Sequence, residues 1–260
     1  MQSSSATMQE NVAESAAALL DRLRADAPRV HCITNAVAQN FTANVLLAAG
    51  CVPSMTLSTA EIGSFVAGAD ALLVNLGTFD RERDLATDIA IDAAACADIA
   101  WVLDPVFVDR SAARAELART LIARGPQAIR LNAAEFSALS GHAPTQEELA
   151  AFARATRAVV GLSGATDWVA DGRRFAAIGN GHALMAKVTA MGCAVSALVA
   201  ACLGVERDAW LATAGALAIV GVAGELAGET ASGPGSFAVG FLDALFNLDA
   251  QTLVARAKER

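Results

Sequence analysis

Positive charge is scarce in this chain: 19 Lys and Arg stand against 27 Asp and Glu, a formal net charge of −8. A nucleic-acid partner would need a basic face, and that class is excluded. Tyrosine is absent and only three histidines occur, His31, His142 and His182, with no metal-ligand spacing among them. The five cysteines (Cys32, Cys51, Cys96, Cys193, Cys202) have no zinc-type spacing and cannot all pair, which points to a reduced, cytoplasmic setting. The polar start lacks the basic and apolar regions of a signal peptide, and residues 1–10 read as a loose tail. GxxxxGK[ST], GxGxxG after a strand, and GxSxG are all missing, which removes P-loop, dinucleotide-binding and nucleophile-elbow readings. No repeat or long linker divides the chain, so residues 1–260 are expected to form one domain.

Uncharged runs are present in quantity. Val188–Val205 and Ala209–Gly224 carry no charge, and the first approaches the length of a membrane span. Both are rich in Ala and Gly and lack flanking aromatic belts or Lys/Arg clusters. They read as buried helices of an α/β core, not as a membrane hairpin.

Elsewhere, short unalternating apolar runs succeed helical segments. Strands are expected at "RVHCIT", "ADALLVNLG", "AWVLDPV", "AIRLN" and "RAVVGLSG", with a helix "AQNFTANVLLAAG" closed by Gly50. A hairpin is expected to turn on Asp171-Gly172, and the chain after Gly192 is almost wholly helical. This pattern implies a mainly parallel central sheet with helices on both faces. Ligands of such sheets sit beyond the carboxyl ends of the strands. The polar residues there are Thr34-Asn35, Asn75-Gly77-Thr78, Asp104-Pro105, Asn132 with Glu135, and Ser163-Gly164.

An Asp-Pro pair alone reads equally as a turn, and Glu135 alone as a helix cap. Together with Arg130 at a neighbouring strand end, the two carboxylates suit a magnesium–polyphosphate site. Gly192-Cys193 opens a long helix whose free amides favour an anion. A cysteine in that place is expected to have a depressed pKa, although a small buried thiol at a tight turn fits the same residues.

Read in order, "HCITNAVAQNFTANVLLAAGCVPSM", "ADALLVNLGT", "LDPV", "IRLNAAE", "LSGATDWVADG" and "NGHALMAKVTAMGCAVSALVAA" resemble the hydroxyethylthiazole kinase family over about residues 15–250. The resemblance implies a ribokinase-like fold and a cytoplasmic homotrimer with active sites at subunit interfaces. It also implies transfer of the γ-phosphoryl group of ATP to 4-methyl-5-(2-hydroxyethyl)thiazole in thiamine salvage. By motif, Met55, Asn35 and Ala190 would bind substrate, Arg130 and Ser163 would bind ATP, and Asp104 and Glu135 would lie near Mg²⁺. Thr189-Ala190-Met191-Gly192 would form the phosphate turn, with Cys193 at the catalytic position. The sequence departs from the family where Ala190 and Met191 stand in a turn normally richer in glycine, where Ser163 replaces threonine, and where "IRLN" replaces Ile-Arg-Gly-Asn. Action on another small alcohol, or ligand binding with weak catalysis, are the rival readings.

Overall fold

Six of the strands share one direction. The computed structural model describes residues 11–259, so the expected tail at 1–10 lies outside the described residues. The parallel strands are β1 (Arg29–Ile33), β2 (Val52–Ser54), β3 (Ala71–Asn75), β4 (Ala100–Asp104), β5 (Ala128–Asn132) and β6 (Val159–Ser163). β7 (Asp167–Ala170) and β8 (Phe175–Ile178) add an antiparallel hairpin, and the sheet order is β2-β1-β3-β4-β5-β6-β7-β8. The hairpin turns at Asp171-Gly172 as expected, Asp171 Oδ1 accepting the amides of Arg173 and Arg174.

Alternation divides the strand residues between two cores. Val30, Cys32, Ala71 and Leu73 face one side, where they meet α1 (Val12–Asp26), α2 (Gln39–Ala48), α8 (Met191–Val205) and α9 (Ala209–Thr230). Ile33, Leu72, Val74 and Leu103 face the other, under α3 (Ile62–Ala67), α4 (Arg81–Cys96), α5 (Ala112–Ile122), α6 (Ala133–Ser140) and α7 (Gln146–Thr156). α10 (Pro234–Asn247) and α11 (Ala250–Arg256) complete the first side. The mainly parallel sheet with helices on both faces is as the sequence implies.

α9 is long and apolar enough to cross a membrane, but 78% of its most apolar window is buried. Its neighbours are α1, α8 and α10, so its apolar residues serve the core. α8 is buried along most of its length, against β1, β3 and β4. That burial aims its amino end at the carboxyl ends of the strands. Gly50, with φ +92°, closes α2 as expected.

The pattern reading misses β2 and α3. β2 is three residues long with Pro53 at its centre, tolerable because β2 is an edge strand. α3, six residues long, is too short for a 3.6-residue period to show.

Candidate active site

A cleft of about 890 Å³ opens where β4, β5 and β6 end and α8 begins. Of the residues expected at the site, Asn35, Asp104, Arg130, Glu135, Ser163 and the whole Thr189–Cys193 turn line it. Met55 does not. It follows edge strand β2, half-buried against the core away from this wall. The neighbours of Met55 are held by His31, whose Nδ1 is 2.8 Å from Ser54 Oγ and whose Nε2 is 3.1 Å from the Thr56 carbonyl. A carbonyl only accepts, so Nε2 carries the proton, and burial lowers the pKa of the ring.

Asp104 ends β4 and is 1% exposed. Its Oδ2 accepts from Asn75 Nδ2 at 2.7 Å and from Ser196 Oγ at 2.8 Å. Oδ1 is buried with no partner. Burial raises its pKa to about 6; Arg130 opposes the shift and the Glu135 charge adds to it. Glu135 is also buried, and both of its oxygens are engaged. Oε2 accepts the Asn132 amide in the capping box of α6, and Oε1 accepts the Phe107 amide from the loop after β4. Its capping and site-lining roles coexist in one side chain.

Arg130 projects from β5, its Nε donating to Ser163 Oγ at 3.0 Å across the β5–β6 pair. The guanidinium lies so close to the start of α8 that a β-carbon at Gly192 would stand 2.8 Å from Nη1. A larger residue there would push the guanidinium aside. Asn35 is placed by the same device: a β-carbon at Gly77 would stand 2.5 Å from Asn35 Nδ2.

The α8 turn has the left-handed geometry that the family glycine would suit. Ala190 caps the helix at φ +73°, a conformation that costs an alanine roughly 1–2 kcal/mol. Met191 is helical and buried, so it adds bulk without backbone strain. Met191 N–H bonds to the Val188 carbonyl. The amides of Gly192 and Cys193 fall in the first turn, where a helix offers them no carbonyl of its own.

One expectation is overturned. The Cys193 thiol does not have a depressed pKa. Burial and the nearby Asp104 carboxylate push it up to about 12, which outweighs Arg130 and a hydrogen bond from Asn75. Low dielectric around the thiol defeats the helix end.

Three residues join the site that motif reading did not assign to it. Asn75 and Ser196 bond to Asp104, and Asp167 lines the cleft. Asn75 was visible as a strand-end residue. Ser196 had one faint signal, a lone hydroxyl inside an apolar helix. Asp167 accepts the Gly164 amide at 2.8 Å, and withdrawal from water raises its pKa to about 6 against that bond and Arg130.

Among the described residues, no group of three or more His, Cys, Asp or Glu could hold a metal. Magnesium in nucleotide sites commonly takes only one or two carboxylates beside phosphates and waters. The unpartnered Asp104 Oδ1, with Glu135 on the same cleft, fits that lesser demand.

A mainly parallel sheet with a strand-end cleft, closed by the amino end of a core helix, defines an α/β protein, and its fold is ribokinase-like by comparison with solved structures. A ribokinase-like superfamily protein from Enterococcus faecalis shares the fold at TM-score 0.66 and 13% identity, over 85% of this chain and 88% of that one. The model of the hydroxyethylthiazole kinase family matches residues 20–251, and the chain belongs to that family. The hydroxyethylthiazole kinase of Cronobacter sakazakii is 45% identical over 249 residues, 91% of this chain and 93% of that one. The structure of the Pyrococcus horikoshii hydroxyethylthiazole kinase superposes with TM-score 0.89 at 36% identity, over 94% of this chain and 98% of that one. The protein is an ATP-dependent kinase.

Proposed function

We propose that the chain phosphorylates the hydroxyl of 4-methyl-5-(2-hydroxyethyl)thiazole with ATP and Mg²⁺, in thiamine salvage, as a cytoplasmic homotrimer. The observation that carries this reading is the convergence of Arg130, Asp104 and the amino end of α8 on one cleft. Phosphoryl transfer through a loose transition state needs alignment and charge neutralisation above all. The free amides of Gly192 and Cys193 receive the oxygens of the transferring group. Arg130, braced by Ser163, binds the polyphosphate of ATP. Asp104 through Oδ1, with the Glu135 carboxylate beside it, would hold Mg²⁺, which would supply neutralising charge to the phosphate oxygens.

Cys193 stands at the catalytic position. With a pKa near 12 it is a thiol at neutral pH, so it orients the substrate hydroxyl by hydrogen bonding. It is not a preformed base. Asn35 and Ala190 bound the substrate end of the cleft. Met55, the thiazole contact that the family resemblance implies, lies off this wall, and a site completed between subunits would bring it to the ligand. A cleft within one chain leaves Met55 without a ligand to touch.

The strained Ala190 favours a second reading, ligand binding with weak turnover. Steady-state ADP release with the thiazole alcohol and a panel of other small alcohols separates the two. Turnover specific to the thiazole supports the proposal; tight binding without turnover supports the second reading.

A further inference from the structure

The two oxygens of Asp104 are treated unequally. Both of the donors that reach the carboxylate, Asn75 Nδ2 and Ser196 Oγ, bond to Oδ2. Oδ1 is buried and bonded to nothing. An unpaired buried acceptor is costly, more so when it carries charge, and the fold leaves this one at the cleft.

We propose that Asn75 and Ser196 are positioning residues, which hold Asp104 by Oδ2 so that Oδ1 is kept for a divalent cation. The inference rests on the reading of Asp104 as a Mg²⁺ ligand and goes on to name what orients it.

Neither donor has freedom to do otherwise. Asn75 is Cα-paired with Asp104 across the β3–β4 ladder and is fully buried. Its Oδ1 accepts the Gly77 amide at 2.9 Å, which fixes the amide orientation and leaves Nδ2 to face the carboxylate. Ser196 lies one turn into α8. Its hydroxyl is 2.8 Å from Asp104 Oδ2 and 3.3 Å from the Gly192 carbonyl. A serine inside a helix ordinarily bonds back to the carbonyl four residues earlier. Here the shorter contact is to the carboxylate, a stronger acceptor. α8 therefore carries both the anion-facing turn and the hydroxyl that anchors Asp104. Through Ser196, the element that carries the phosphate turn is tied directly to the cation ligand at the end of β4.

Groups that orient metal ligands change metal affinity by about 10–100-fold when removed. The test is Mn²⁺ binding to the protein–ADP complex, read by electron paramagnetic resonance, beside metal-free ADP binding by calorimetry. The variants are Ser196→Ala, Ser196→Thr, Asn75→Ala and Asp104→Asn, each checked for folding by circular dichroism. We expect Ser196→Ala and Asn75→Ala to weaken Mn²⁺ roughly tenfold, with metal-free ADP affinity unchanged. Ser196→Thr, which keeps the hydroxyl, should restore Mn²⁺ affinity. If Asp104→Asn weakens Mn²⁺ but Ser196→Ala does not, the positioning role is wrong and the metal reading stands. If Asp104→Asn has no effect, the metal reading fails and this proposal with it. If Ser196→Thr is as impaired as Ser196→Ala, helix packing and not the hydroxyl is responsible. Should Asn75→Ala fail to fold, the two Ser196 variants decide the matter.

Discussion

Asp104 is held against its own chemistry. Burial of its charged form at neutral pH opposes folding by up to roughly 3 kcal/mol, given a pKa raised to about 6. An amide of the same shape keeps an acceptor for Asn75 and Ser196 while removing the charge. Asp104→Asn should raise Tm by roughly 2–8 °C in metal-free protein and cut turnover at saturating ATP. A purely structural aspartate would lose stability instead; calorimetric melts beside kcat separate the two. Asp167 lends itself to a pH test. Its folded pKa, about 6, lies above the ordinary 3.8, so the folded state holds the proton more tightly. The stability it contributes is full below about pH 4 and is lost as pH rises through about 6. In denaturant titrations, Asp167→Asn should remove that decline, and an unchanged pH slope would contradict the assignment. Cys193, a thiol at neutral pH, should behave as an orienting group. Cys193→Ala is expected to lower kcat about tenfold without displacing any limb of the pH–rate profile below pH 9. Loss of a limb in that range would show that the thiolate is the base.

At the scale of the element, α8 decides what the site can do. Its first turn combines a strained cap at Ala190 with a close approach of the Arg130 guanidinium to position 192, where a β-carbon would push the guanidinium aside. Ala190→Gly relieves about 1–2 kcal/mol of left-handed strain and gives back about 0.4–1 kcal/mol through the freer unfolded chain. A net stabilisation of about 0–1.6 kcal/mol is expected, with a higher kcat for the thiazole alcohol and little change in ATP affinity. Equal melts and equal rates would mean that the turn accommodates alanine without loss. Gly192→Ala acts in the opposite sense on function. Alanine favours the helix by up to about 1 kcal/mol, but its methyl displaces the Arg130 guanidinium, which Ser163 restrains at Nε. Stability should hold or rise while KM for ATP increases roughly tenfold. The sequence shows why this turn was legible only in part. Gly192-Cys193 at the head of an apolar run announces a helix start, and the left-handed cap follows from the family's glycine. Burial of the thiol, which reverses its pKa, depends on β4 and Asp104 lying across from it, and no local pattern encodes that.

For the whole molecule, the architecture was legible in the succession of short unalternating apolar runs and longer helical segments, because a parallel strand covered on both faces is apolar along nearly its whole length. Of the polar residues expected at strand ends, Asn35, Asp104, Asn132, Glu135 and Ser163 line one cleft, since parallel strands place their carboxyl ends on one side, whereas Thr34, Asn75 and Thr78 do not line it. Asn75 and Ser196 were not assigned to the site, because their role depends on hydrogen bonds to Asp104 from separate elements. Met55 shows the limit most clearly: its motif is intact, yet within one chain it lies off the cleft wall. The proposed homotrimer would resolve this, and sedimentation equilibrium should then return three times the chain mass of 26.5 kDa. A monomer that turns over the thiazole normally would remove the interface site. The central claim, that this cleft moves a phosphoryl group from ATP to a thiazole alcohol, is tested most directly by ³¹P NMR. With wild-type protein, MgATP and 4-methyl-5-(2-hydroxyethyl)thiazole, the account predicts a phosphomonoester resonance growing in step with ADP. ADP accompanied only by inorganic phosphate, or no ADP at all, would contradict it.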